Sequence, residues 1–145
     1  MINPSAIKPD VALAAELEGQ IHVGSDTVKV YADWAKPTNG LPTDFISIYI
    51  NGDIGGYGLD NNFARGYIGV SLYSKMNDDG SVKSNRIKKI LEQFDALIDK
   101  LVADKYYYRY PKDRFITPTT PNVTSGYSIT TLNLEWHTTN DFQTT

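Results

Sequence analysis

The chain has 145 residues, enough for one domain whose hydrophobic core needs no covalent staples. Its 14 basic and 17 acidic residues give a formal net charge of −3 and form no basic block of the kind that neutralises nucleic-acid phosphates. The absence of cysteine excludes disulfides, thiolate nucleophiles and cysteine-based zinc sites.

Neither a membrane span nor a secretory signal is expected, because no apolar run approaches 18 residues and the first 19 residues include early charges and prolines. We predict a single domain over residues 1–145, globular from about 10 to 137. The polar segment 138–145 is expected to be flexible, or ordered by a neighbouring subunit.

The first predicted element is a short helix over residues 10–18, with Asp10 as its cap, Leu13 and Leu17 on one face and Gly19 as its stop. Alternating runs then predict strands over residues 27–34, 43–50 and 63–74. In the last of these, Ile68, Val70 and Leu72 face inward.

A glycine-rich segment over residues 51–62 separates the second and third predicted strands. It lacks the Gly-Lys-Ser/Thr ending of a phosphate-binding loop. One interpretation is a long hairpin connection whose glycines allow positive φ angles. The other is an interaction loop that presents Asp53, Tyr57 and Asp60 to a partner.

The strongest helical signal covers residues 84–102, where apolar side chains recur every three to four positions. Ser84 is its predicted cap. Arg86, Lys88 and Lys89 lie in the first turn, where positive charge opposes the helix dipole. They are interpreted either as solvated side chains or as a basic patch that faces an acidic partner.

The helix is followed by a run of tyrosines, Tyr106, Tyr107, Tyr108 and Tyr110. Alternating strand packing accounts for half of these rings, and we assign the others to a subunit or partner interface, where tyrosine is enriched. A short strand at 113–116, a polar loop at 117–125 and a last strand at 126–137 complete the chain. In the last strand Leu132, Leu134 and Trp136 share one face.

This order of elements predicts an α+β fold, in which an antiparallel β-sheet packs against one long helix and a short N-terminal helix completes the structure. No catalytic, cofactor-binding or metal-binding residue is predicted, because His22 and His137 lack partners at ligand or catalytic spacing and no Gly-x-Ser-x-Gly elbow is present. The chain is therefore not expected to be an enzyme.

The segments Ala64–Tyr73, 85–102 and Tyr127–Trp136, a strand, a helix and a late strand ending in an aromatic residue, together resemble the tail-terminator and tail-completion proteins of tailed bacteriophages. The shared plan covers about residues 10–137. The glycine-rich segment and the tyrosine run have no counterpart in that family.

The resemblance implies a structural protein of the virion neck or tail that assembles in the host cytoplasm. Such subunits form closed rings that cap the tail tube or join it to the head connector and let DNA pass. Its expected partners are further copies of itself, in a hexamer or alternatively a dodecamer, and other neck, tail-tube or connector proteins. Ring closure uses heterologous interfaces.

A different class of function is also compatible with the residues. The chain would then be a monomeric, β-rich ligand-binding module, carbohydrate-directed for example, that uses Trp34, Tyr57 or the tyrosines between 106 and 110. The oligomeric state distinguishes the two interpretations.

Overall fold

The computed structural model describes residues 4–33, 42–58, 63–98, 101–113, 116–122 and 125–139. A 3-10 turn at Pro4–Ala6 precedes two helices and nine strands in these ranges. The helices are α1 (Pro9–Leu17) and α2 (Ser84–Ile98), and the strands are β1 (His22–Val23), β2 (Asp26–Thr27), β3 (Lys29–Ala32), β4 (Asp44–Tyr57), β5 (Phe63–Lys75), β6 (Val102–Ala103), β7 (Tyr106–Arg109), β8 (Thr120–Asn122) and β9 (Tyr127–Thr138).

One curled sheet dominates the structure, with strand order β3-β4-β5-β9-β7-β6 and β8 paired to β9. All its strand pairs are antiparallel except β3 with β4, which is parallel. β1 and β2 form a separate small hairpin.

The inner face of the sheet carries the predicted apolar rows. Ile68 pairs with Leu134 and Val70 with Leu132, and all four side chains are buried. The helices contribute to the same core, and their buried apolar residues are Leu13, Ala14 and Leu17 from α1 and Ile87, Ile90, Phe94 and Ile98 from α2. The predicted strand faces of β5 and β9 are therefore confirmed.

The predicted fold class is wrong. The part of the chain that the structure describes is mostly β, and within it no single long helix packs across an antiparallel sheet. Helix α2 ends at Ile98 in the described residues, while Val102 lies in β6 with about half of its surface exposed. The apolar spacing continued to residue 102, but the tight β6–β7 hairpin, whose turn places Asp104 at a φ of 55°, takes Val102 into the sheet.

The glycine-rich segment also differs from prediction, because strand β4 runs through it to Tyr57. A register shift between Asn51 and Gly55 marks a bulge, and pairing with β5 resumes at Gly55 and Arg65. Gly52, at a φ of 87°, permits that local conformation. In its described part, residues 51–57, the segment is therefore strand rather than loop.

Helix α1 begins at Pro9, and Lys8, at the N-cap position, makes no side-chain capping bond. Asp10 therefore is not the cap. Its buried carboxylate accepts a hydrogen bond of 3.1 Å from the amide of Asp33, where β3 ends. Glu18, just past the helix, accepts a 3.3 Å bond from the Val30 amide. The two carboxylates join both ends of α1 to β3.

Stability should depend on pH through Asp10. Burial raises the pKa of this carboxyl above its ordinary value of 3.8, and the nearby Asp33 acts in the same direction. The unfolded chain therefore loses the proton first as pH rises, so this group's contribution to stability falls above about pH 4. Because the Asn oxygen still accepts the Asp33 amide bond, Asp10→Asn should raise the melting temperature increasingly from pH 4 to 7. Asp78→Asn, in an exposed turn, controls for the loss of one negative charge. If the difference in melting temperature between Asp10→Asn and the unaltered chain stays constant across pH, the pKa of Asp10 is not raised in the folded state.

Candidate interface on the outer sheet face

The candidate site lies on the outer face of the sheet, opposite the core. Alternate residues of paired strands share this face, so register aligns Asn51 with Tyr67 and Tyr67 with Glu135, which in turn pairs with Arg109. This row crosses four strands. Tyr67 at its centre is 49% exposed, unlike most large apolar and aromatic side chains of the described residues.

Two adjoining cavities of about 480 and 440 Å³ share Tyr67 and Glu135, and we call them together the outer-face groove. The remaining lining residues of the first are Asp53, Ile54, Gly55, Arg65, Gly66, Arg109, Trp136 and His137, and those of the second are Asn51, Pro111, Lys112, Asp113 and Asn133.

The groove depends on Gly66. A Cβ at this position would lie 3.0 Å from the Trp136 ring and 3.1 Å from the Asp53 carbonyl oxygen, both closer than packed atoms normally approach. The missing side chain lets the β4 bulge lie against β5 and leaves Trp136 in the groove lining. The Trp136 Nε1–H donates a 3.2 Å hydrogen bond to the Tyr67 carbonyl, which fixes the ring.

The charges of the groove balance. Arg65, Arg109 and Lys112 stand against Asp53, Asp113 and Glu135 among its lining residues. Arg109 Nε lies 2.8 Å from Glu135 Oε2 in a largely exposed ion pair. A groove of this composition does not select a polyanion or a polycation, and its planar polar groups suit a neutral partner.

Rings gather around His137 at one end of the groove. Its ring centroid lies 4.9 Å from that of Tyr107 and 6.4 Å from that of Tyr57, and the Arg65 guanidinium carbon lies 5.7 Å from the Tyr57 centroid. Burial, with a further contribution from Arg109, lowers the pKa of His137 from its ordinary value. The imidazole is therefore mainly neutral at pH 7.

Three of the predicted interface residues converge here, namely Asp53 and Tyr57 from the glycine-rich segment and Tyr107 from the tyrosine run. Asp53 is exposed and lines the groove, while Tyr57 is half-buried and donates a 3.1 Å hydrogen bond to the Thr138 carbonyl. Asp60 and Trp34 lie outside the described residues.

The other tyrosines of the run lie elsewhere. Tyr106 and Tyr108 are buried in the core, where the Tyr106 hydroxyl accepts a 2.8 Å bond from the Lys8 amide and the Tyr108 hydroxyl donates a 2.5 Å bond to the Pro9 carbonyl. Burial raises the pKa of Tyr108. Half-buried Tyr110 donates to the Asp95 carboxylate. Of the four predicted tyrosines, Tyr107 is the one whose ring contacts His137 at the end of the groove.

Of the three predicted cations at the start of α2, one is partly buried in contacts within the chain and two are at the surface. Arg86 forms two ion pairs, with its Nε 2.5 Å from Oδ2 of the buried Asp44 and its Nη2 3.0 Å from Oδ2 of Asp26. Lys88 lies 3.9 Å from Glu92, and Lys89 is exposed. Lys88 and Lys89 are therefore the two that remain at the surface.

Sequence reasoning did not select Tyr67, Arg65, Arg109 or Glu135. The alternation that placed Ile68 and Val70 inside also put Tyr67 outside, so a signal for it existed in β5. The approach of Arg109 to Glu135 depends on pairing between β7 and β9, which no local pattern reveals.

Across the described ranges, no group of three or more His, Cys, Asp or Glu side chains is placed to hold a metal ion. Neither of the two helices described is long and apolar enough to cross a bilayer. No model of a known protein family matches this sequence, and no curated protein matches it.

Proposed function

We propose that this chain is a structural subunit of a ring in the neck or tail of a tailed bacteriophage. The ring would cap the tail tube or join it to the head connector and let DNA pass through its lumen. The proposal begins from the resemblance of the β5, α2 and β9 segments to tail-terminator proteins. Those segments occur in the structure in that order, with alternating strand faces.

The observation that supports it most is the outer-face groove. Its exposed Tyr67, its arginines and its balanced charge give it the composition of a protein interface, in which tyrosine and arginine are enriched. None of the described residues that line the groove belongs to α1 or α2. A ring built on heterologous contacts needs such a surface, together with a different one to receive it.

A second candidate is a monomeric module that binds neutral carbohydrate. The observation in its favour is the exposed Tyr67 ring beside the Asn51 and Asn133 amides, which are joined by a 2.9 Å hydrogen bond. An aromatic ring with planar polar neighbours suits a polyhydroxylated ligand. In this case the groove is filled by a small ligand rather than by a protein.

The oligomeric state of the chain in solution distinguishes the ring subunit from the carbohydrate-binding monomer. Native mass spectrometry and light scattering should show one closed species, six chains being the expected number and twelve the alternative. Arg109→Ala should weaken the assembly, because arginines are among the interface side chains whose truncation costs most. Lys75→Ala, at the end of β5 away from the groove, should not. A chain that stays monomeric at millimolar concentration and binds neutral oligosaccharides would contradict the ring and support the second candidate.

A further inference from the structure

Helix α1 bridges the two ends of the curled sheet. β3 and β6 are the terminal strands of that sheet, and α1 packs against β3 and β4 at one end and against β6 at the other. Its hydrogen bonds divide in the same way. The Asp10 and Glu18 carboxylates accept amide hydrogen bonds from β3 and the residue after it, while the hydroxyls of Tyr106 and Tyr108, in β7, bond to the backbone just before and at the start of the helix.

Contact with the sheet is also what keeps α1 helical. Leu13, Ala14 and Leu17 are buried and belong to the core. A helix of nine residues with no side-chain bond at its N-cap has little stability of its own. Docking on the sheet and helix formation are therefore a single step for this segment, and so is their loss.

No strand pairing of the described sheet includes α1. Residues 4–18 contribute to no strand, so the pairings are made by the chain beyond them. The connection, residues 18–20, is exposed. At its centre Gly19 has a φ of 79°, and a Cβ added there would meet no atom within 4 Å. Ile21 is fully buried and anchors the chain on the far side of this hinge.

The docked helix covers one edge of the sheet. Among the described residues, β3 has a strand partner, β4, on one side only. The Val30 amide of β3 donates a 3.3 Å hydrogen bond to Glu18, so a side chain next to α1 occupies a backbone donor of the strand. A strand edge with free backbone donors pairs readily with extended segments of other chains. The position of α1 therefore determines whether the β3 edge is available.

We propose that residues 4–18 are a strap, which closes over the two ends of the sheet and releases as one unit about Gly19 while the strands remain paired. The closed strap conceals the β3 edge, and the released strap exposes it to strand addition. The free energy needed for release then lies below that of global unfolding. This inference goes beyond the proposed ring and does not rest on it, because it uses contacts within one chain.

Amide hydrogen exchange of the full chain, followed by NMR at rising urea concentrations below the unfolding transition, tests the strap. The Leu13, Leu17 and Val30 amides should exchange together. Their exchange should be at least about tenfold faster than that of Ile68 and Val70, in the central strand β5, and should depend less on urea. Identical protection and urea dependence for both sets would overturn the strap, since α1 would then leave the sheet only when the whole chain unfolds.

Two glycine variants make the test specific to the hinge. Gly19→Ala and Gly80→Ala each add a Cβ at a positive φ, 79° and 84°, with no atom within 4 Å, so both should lower global stability by a similar amount. Release of the strap frees residue 19 from this conformation but leaves the turn at Gly80 intact. Gly19→Ala should therefore accelerate exchange of the Leu13, Leu17 and Val30 amides by a factor of about 5–30, and Gly80→Ala should leave it unchanged. Equal acceleration by both variants, or none by either, would overturn the strap whether or not the chain forms a ring.

Discussion

Arg86→Ala should destabilise the folded chain by about 3–5 kcal/mol, the range expected when one partner of a buried ion pair is removed. The Asp44 side chain is only 2% exposed, and Arg86 Nε lies 2.5 Å from its Oδ2. After the substitution, Asp44 would keep the 2.6 Å hydrogen bond from Ser74 to Oδ1 but lose its counter-charge. Urea unfolding followed by circular dichroism measures the loss.

Two further variants make this result specific. Lys89→Ala removes an exposed cation from the same helical turn and should change stability by no more than about 0.5 kcal/mol. Adding Asp44→Asn to Arg86→Ala removes the uncompensated charge and should restore part of the loss. If Arg86→Ala alone costs less than about 1 kcal/mol, water or another group solvates Asp44 and the pair does not fasten α2 to β4.

Phe94→Ala should cost a similar amount, about 3–5 kcal/mol, for a different reason. The ring is 1% exposed and belongs to the core between α2 and the sheet. Its removal leaves a cavity that the closely packed surroundings fill only in part. Thermal or urea unfolding of the full chain gives the value.

Leu97→Ala is the matched comparison on the same helix. Leu97 packs against the core but remains partly exposed, so its truncation should cost clearly less than that of Phe94. Equal losses of stability at both positions would show that Phe94 is not more deeply buried in the core than Leu97. A loss below about 1 kcal/mol at Phe94 would show that α2 is not integral to the core.

Local periodicity predicted those parts of the fold in which neighbours along the chain determine the structure. The alternation in β5 and β9 correctly identified which side chains are buried, and Gly19, at a φ of 79°, follows α1 as predicted. Periodicity failed where distant strands decide. Val102 fits the helical spacing, yet it lies in β6 and pairs with Tyr107 of β7. The glycine-rich part of β4 has the composition of a loop, although Gly55 and Gly56 pair with β5.

The candidate site was predictable only in part, for the same reason. A period of two showed that half of the tyrosine run would be buried, but pairing with β9 determines that Tyr106 and Tyr108 are the buried pair. Arg86 looked like a surface cation because its partner Asp44 is 42 positions away in sequence. The outer-face groove joins side chains from four strands, so no single segment carries its pattern.

The bonds from Tyr106 and Tyr108 to residues 8 and 9 have a consequence for the order of folding. They connect positions 98 and 99 residues apart, and α1, with nine residues, is too short to persist alone in water. The first helix to leave the ribosome therefore cannot acquire its final contacts until β7 has been synthesised. We expect α1 to dock late, in a slow step set by long-range loop closure.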